Sequence, residues 1–130
     1  MRILIVDDEP ACRHLVALCL KPHGTISQAD NGPSALAAIS SALGQRQPFD
    51  LIMLDISMPV IDGQVALRTL RLMEEAHGVP LGKGAKVIMT TGHGDPRTVM
   101  QAFRGTADGY LVKPLDPAKL TELIAGLGLI

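Results

Sequence analysis

Leu51-Ile52-Met53-Leu54-Asp55 is a run of four apolar residues closed by an acid, and Ile3-Leu4-Ile5-Val6-Asp7 repeats the pattern near the start of the chain. A strand with one wet face alternates apolar and polar residues. An unbroken run instead marks a strand buried on both faces, as in a parallel sheet covered by helices. Val87-Ile88-Met89 and Tyr110-Leu111-Val112 read the same way. Thr25-Ile26-Ser27-Gln28-Ala29 is shorter of apolar residues and suits the edge of such a sheet.

The segments between these runs carry helical periodicity. Cys12, Leu15, Val16 and Cys19 share one stripe; Leu36, Ile39 and Leu43 share another, with Gly44 placed to end that helix. Ala66, Leu70 and Met73 mark a third helix. Asp95-Pro96 is a cap followed by proline at the first helical position, with Val99, Ala102 and Phe103 behind it and Gly105 as the stop. Asp116-Pro117 opens a fifth helix carrying Leu120, Leu123, Ile124 and Leu127. Strand and helix thus alternate five times. The expected fold is α/β: a flavodoxin-like, doubly wound sheet of five parallel strands in the order 2-1-3-4-5, with right-handed crossovers and five helices.

The chain has 130 residues, the size of one domain, and residues 1–130 are expected to form it with no output domain attached. Hydrophobic residues make up 47 %, which excludes a disordered composition, and a net charge of -1 gives no electrostatic case for nucleic acid or an anionic membrane. No apolar run reaches the ~18 residues of a membrane span. The N-terminal run is too short for an export signal, so the expected location is the cytoplasm. Cys12 and Cys19 are seven residues apart, which fits neither a CxxC pair nor a zinc site, and they read as small core hydrophobes. His77 to Lys86, with three glycines and Pro80, reads as a long surface loop whose role the residues leave open.

In a sheet of this kind ligands bind beyond the carboxyl ends of the strands, where strand order reverses. Those ends hold Asp7-Asp8-Glu9, Asp55, Thr90-Thr91-Gly92 and Lys113-Pro114. Three carboxylates crowded together repel, so either one keeps a proton or a cation joins them. Oxygen donors without His or Cys select a hard ion such as Mg²⁺, which leaves room for phosphate oxygens. Lys113 and Thr91 add a positive charge and a hydroxyl donor for phosphoryl oxygens. A carboxylate in that setting is a nucleophile toward phosphorus. Taken singly, each piece has a plainer reading: Asp8 as a helix cap, Asp62-Gly63 as turn and cap chemistry, Thr91 as a strand-end hydroxyl, Lys113 as a solvated lysine. Four strand ends converging on one edge is what favours chemistry.

These residues resemble the response-regulator receiver family, closest in layout to free-standing chemotaxis-type regulators. The resemblance runs through Ile5-Val6-Asp7-Asp8-Glu9-Pro10, Leu54-Asp55-Ile56-Ser57-Met58-Pro59-Val60-Ile61-Asp62-Gly63, Met89-Thr90-Thr91-Gly92 and Ala107-Asp108-Gly109-Tyr110-Leu111-Val112-Lys113-Pro114, essentially the whole chain. It implies Asp55 as phosphoacceptor, with Mg²⁺ on Asp8, Asp55 and the Ser57 backbone carbonyl, and Asp7 acting through water. It implies Lys113, joined to Pro114 by a cis bond, together with Thr91 and the Gly92 amide, as phosphoryl contacts. Thr91 and Tyr110 would be the switch, Tyr110 swinging inward and altering the face of helix 4, strand 5 and helix 5. The donor would be a phosphohistidine on a sensor histidine kinase or phosphotransfer protein, and the output a protein target or onward relay, with no direct role for nucleic acid or membrane. Ser57 and His93 depart from a fixed pattern and flank the route of water to the phosphoryl group, so they would set its lifetime; His93 reads equally well as an exposed loop histidine. Such a protein would catalyse only its own phosphorylation and dephosphorylation. The rival readings are a Mg²⁺-dependent aspartyl-phosphate phosphatase or mutase, which lacks its second acid because position 57 is Ser, and a receiver-like binding module that is never phosphorylated.

Overall fold

Alternation along the strands sorts the apolar residues into two halves, one for each face of the sheet. In the computed structural model, which describes residues 1–92 and 107–130, five parallel strands are ordered β2-β1-β3-β4-β5. They are β1 (Arg2–Val6), β2 (Thr25–Ala29), β3 (Leu51–Asp55), β4 (Lys86–Thr91) and β5 (Gly109–Val112). Among the described residues four α-helices accompany them: α1 (Pro10–Leu20), α2 (Gly32–Gly44), α3 (Gly63–Ala76) and α4 (Pro117–Gly126). The helix expected from Asp95 to Gly105 lies outside the described residues, so α4 is the fifth helix read from the sequence.

Ile3 and Ile5 of β1, Leu51 and Met53 of β3 and Ile88 of β4 point to one face, against Val16 and Leu20 of α1 and Leu120 and Ile124 of α4. Their neighbours Leu4, Val6, Ile52, Leu54, Val87 and Met89 point the other way, against Ala35 and Ile39 of α2 and Ala66, Leu67 and Leu70 of α3. The apolar runs are unbroken because both faces are dry, and every residue of β3 is buried. β2 sits at one edge, mostly exposed. Among the described residues no helix is long and apolar enough to cross a membrane.

Local chemistry starts and stops the helices. Asn31, Asp62 and Asp116 cap α2, α3 and α4, each side chain accepting from a backbone amide in the first turn (Ser34, Val65 and Ala118). Asp62-Gly63 is therefore cap chemistry, as its plain reading had it. Gly63 has a second reason to be glycine: a Cβ there would collide with the backbone of Asp55 and Ile56. Its amide instead donates to the Ile56 carbonyl at 2.9 Å, which seats the start of α3 on the end of β3.

Two details of the periodic reading differ. Leu15 is 38 % exposed, because the buried stripe of α1 runs through Val16 and Leu20 with both cysteines half-buried beside it. Gly44 is the last helical residue of α2, and the left-handed turn after it is taken by Arg46 at φ 57°. The long loop is anchored by Glu74, whose carboxylate accepts from the Ala85 amide at 2.7 Å and from Arg71 at 2.7 Å. Arg71 also reaches the Ala85 carbonyl and Asp108, which in turn accepts from the Val87 amide at 2.8 Å. This network binds the amino ends of β4 and β5 to α3.

Val60 is 88 % exposed and sits at φ 71°, a conformation that a β-branched side chain resists. Val60→Asn keeps the turn and relieves the clash, so it should raise stability by about 1 kcal/mol in urea unfolding. Unchanged or lower stability would show that the turn holds no strain.

Candidate functional site

The parity that sorts the core continues past the ends of the apolar runs. Asp7 is two residues beyond Ile5, Asp55 two beyond Met53, and Lys113 two beyond Leu111, all on the α1–α4 face. Backbone pairing extends with them: the Asp7 amide donates to Ala29 at 3.1 Å, Ile56 to Thr90 at 2.9 Å and Lys113 to Thr91 at 2.7 Å. After β1 the chain crosses to one face through α1, and after β3 to the other through α3. The crevice at that divergence is where strand-end side chains can meet a ligand.

Lys113 holds the centre. Its Nζ lies 2.9 Å from Asp7 Oδ2 and 3.3 Å from Asp55 Oδ2, with Glu9 Oε2 at 3.9 Å. Both partner aspartates are almost fully buried, at 3 % and 2 % exposure. The expected cis bond between Lys113 and Pro114 is present. The second oxygen of each aspartate accepts a backbone amide two residues on: Asp7 Oδ1 from Glu9 at 2.9 Å, and Asp55 Oδ1 from Ser57 at 3.1 Å. Asp7 also presents its carbonyl to Arg13 Nη1 at 2.8 Å.

Two similar carboxylates are pushed in opposite directions. Burial would raise Asp7, but donors from the Cys12 thiol, the Glu9 amide and Lys113 outweigh it and hold Asp7 below the usual carboxylate range. Asp55 is raised to about 6, by burial first and by the charge of Asp7 second, with Lys113 offsetting only part. Lys113 is itself held well above its ordinary value: burial opposes the charge, and Asp7 and Asp55 overcome it. Asp55 is thus an acid short of positive charge.

Asp8 supplies the third carboxylate, and oxygens of Asp7, Asp8 and Asp55 all lie within 4.8 Å of one another. The cap reading of Asp8 fails, because Glu9 occupies the cap position of α1 and Asp8 takes no hydrogen bond or ion pair among the described residues. An exposed, unpartnered carboxylate beside two buried ones, all hard oxygen donors, suits Mg²⁺ in charge and ligand type. Ser57 is exposed and follows the acceptor strand closely enough to offer its carbonyl.

Thr91 is buried at the end of β4 and Gly92 exposed just after it. Tyr110 is half-buried, beside Met89 in register and packed on the α2–α3 side of the core. His93 lies outside the described residues.

Cys12 belongs to this site as well as to the core. Its Sγ is grouped within 4.8 Å of carboxylate oxygens of Asp7 and Glu9, and burial together with the Asp7 charge pushes its thiol up to about 12, which keeps it protonated and inert. The sequence carried one usable signal: Cys12 stands in the first turn of a helix that begins three residues past Asp7, on its inward face.

Comparison with known proteins agrees with this geometry. The family model described as the response regulator receiver domain matches residues 3–125. The chain is similar to the sensor histidine kinase GacS of Pseudomonas protegens, 34 % identical over 95 % of this chain and 13 % of GacS. It is 36 % identical to the transcriptional regulator RpaA of Synechocystis over 97 % of this chain and 48 % of RpaA. It therefore spans less than half the length of either. Chemotaxis protein CheY-3 of Vibrio cholerae is 32 % identical, with 94 % of this chain and 87 % of that protein covered. Among solved structures, the receiver domain of the Arabidopsis thaliana histidine kinase CKI1 complexed with Mg²⁺ superimposes with a TM-score of 0.81 at 30 % identity, covering 97 % of this chain and 90 % of that one.

The raised Asp55 sets the sign of a pH dependence in chelated, metal-free protein. Its folded value of about 6 exceeds its ordinary 3.8, so its favourable contribution is complete below 3.8 and is lost as pH rises through about 6. Asp55→Asn should therefore melt about 5 °C or more above wild type near neutral pH, and the gap should close toward about pH 4. A gap that persists in acid would place the penalty elsewhere.

Proposed function

This chain belongs to the response-regulator receiver family, and from that premise we propose that it accepts a phosphoryl group on Asp55 and uses it as a signalling switch. The observation that carries the reading is the Lys113 ammonium spanning Asp7 at 2.9 Å and Asp55 at 3.3 Å, beside the Asp8 carboxylate, which has no partner among the described residues. The donor is a phosphohistidine on a sensor histidine kinase or phosphotransfer protein, in the cytoplasm, and the output is a changed protein-binding face.

An oxygen of Asp55 bonds to phosphorus as the bond from phosphorus to the donor imidazole nitrogen breaks, its electron pair staying on that nitrogen. The product is a mixed anhydride on Asp55. Asp8, Asp55 and the Ser57 carbonyl would hold Mg²⁺, and Asp7 would complete the acidic set through water. Such an ion would supply positive charge against the carboxylates and the phosphoryl oxygens. Lys113 gives up its contact with Asp55 Oδ2 for a phosphoryl oxygen while Asp7 keeps it in place. Thr91 and the Gly92 amide donate to the remaining oxygens. Burial of Asp55 keeps bulk water off the anhydride, and Ser57 and His93 tune how fast water enters. Thr91 moving toward the phosphoryl group draws Tyr110 inward and alters the neighbouring face.

The test is labelling by acetyl phosphate with Mg²⁺. Asp55→Ala should abolish it and leave the circular dichroism of the fold unchanged; a label that survives would move the acceptor to another residue. Tyr110 is the single tyrosine and the chain has no tryptophan, so intrinsic fluorescence reads that ring alone. Beryllofluoride with Mg²⁺ should shift this emission. In Lys113→Ala the shift should fall by half or more, about the effect of losing one charge-assisted contact, with Mg²⁺ binding retained. A full response in that variant would remove Lys113 from the switch.

A further inference from the structure

The geometry points to the open edge of β2 as a docking site for an extended acidic segment of a protein partner, which adds there as a sixth strand. Among the described residues β2 pairs with β1 alone, and its outer backbone amides and carbonyls have no strand beside them. Sheet edges are ordinarily blunted by charge or proline. Thr25-Ile26-Ser27-Gln28-Ala29 contains neither, whereas the opposite edge, β5, has only four residues and runs into Lys113-Pro114.

Beside the β2 edge lies a groove of about 370 Å³ between the strand and α1. Ile26 and Gln28 form one wall, on the face of the sheet that α1 covers, and Leu18, 57 % exposed, stands on the other. Among the described residues Lys21 and His14 are the ionisable groups lining it, and no acid does. A strand laid along β2 turns every second side chain toward α1. Apolar groups at those positions would cover Leu18 and Ile26, and carboxylates would meet Lys21. Backbone pairing supplies affinity in such an arrangement, and the groove and its charge supply selection. The site is separate from the carboxylate crevice and does not depend on phosphorylation.

The test uses the full ¹⁵N-labelled chain and a blocked peptide of about nine residues whose alternate, α1-facing positions are valines with a glutamate at each end, threonine filling the positions between. Saturable shifts are expected at the amides of Leu18, Lys21 and residues 25–29. Lys21→Glu should weaken binding about tenfold, and the same peptide with lysines in place of its glutamates should bind weaker than the acidic one by about the same factor. N-methylation of alternate peptide amides on the edge facing β2 should abolish binding. Equal affinity for the basic peptide, tolerance of N-methylation, shifts mapping elsewhere or none at millimolar peptide would each overturn the proposal. Shifts of residues 25–29 that follow protein concentration without peptide would assign the edge to a second copy of the chain and overturn it as well. Acetyl phosphate labelling of Lys21→Glu should match wild type, so the docking result stands apart from that of the Asp55 reaction.

Discussion

A single ammonium, Lys113 Nζ, holds the carboxyl edge of this sheet together. Without it, two buried aspartates from adjacent strands would face each other with little to offset their repulsion, at a cost that grows as water is excluded. With it, Asp7 is satisfied: three donors converge on its side chain and keep it ionised. Asp55 is left undercompensated, and its acidity falls. The imbalance is useful. A carboxylate that lacks positive charge gains most from a metal ion, and the two buried acids with Asp8 place hard oxygen ligands where one can sit.

The surrounding fold serves to keep that edge in register. Gly63 lets α3 begin directly against the backbone of Asp55, and Asp62 caps it there, so the helix and the acid are one rigid unit. At the far ends of β4 and β5, the network of Arg71, Glu74 and Asp108 ties strands, helix and loop through hydrogen bonds to backbone. Glu74 leaves room for no side chain at Gly84, where a Cβ would strike its carboxylate. The loop is long in sequence yet firmly attached at its end.

Much of the site was legible because strand periodicity carries it. Asp7, Asp55 and Lys113 occupy the same parity as the apolar residues before them, so their common face follows from the pleat once the strands are recognised. What was not legible depends on which helical residue turns inward. The stripe placed Val16 in the core correctly but misjudged the angle of α1 at Leu15, which is exposed while Leu20 is buried. Cys12 read as packing, and its contact with Asp7 needs the first turn of α1 to fold back over the end of β1. Gly44 had the composition of a left-handed stop, but the helix closes two residues later at Arg46.

Residue order alone carries the strand set, the edge position of β2, the caps at Asp62 and Asp116 and the residues brought to the carboxyl edge. All of these rest on local periodicity or on groups a few residues apart. How the charges divide belongs to the assembled fold: Asp7 is held ionised, Asp55 is raised, and Asp8 has no partner among the described residues. Those outcomes depend on distances between groups far apart in the chain, such as Lys113 to Asp7 at 2.9 Å, and on how deeply each is buried. Electrostatic energy is set by separation and by surrounding dielectric, and neither is written in residue order.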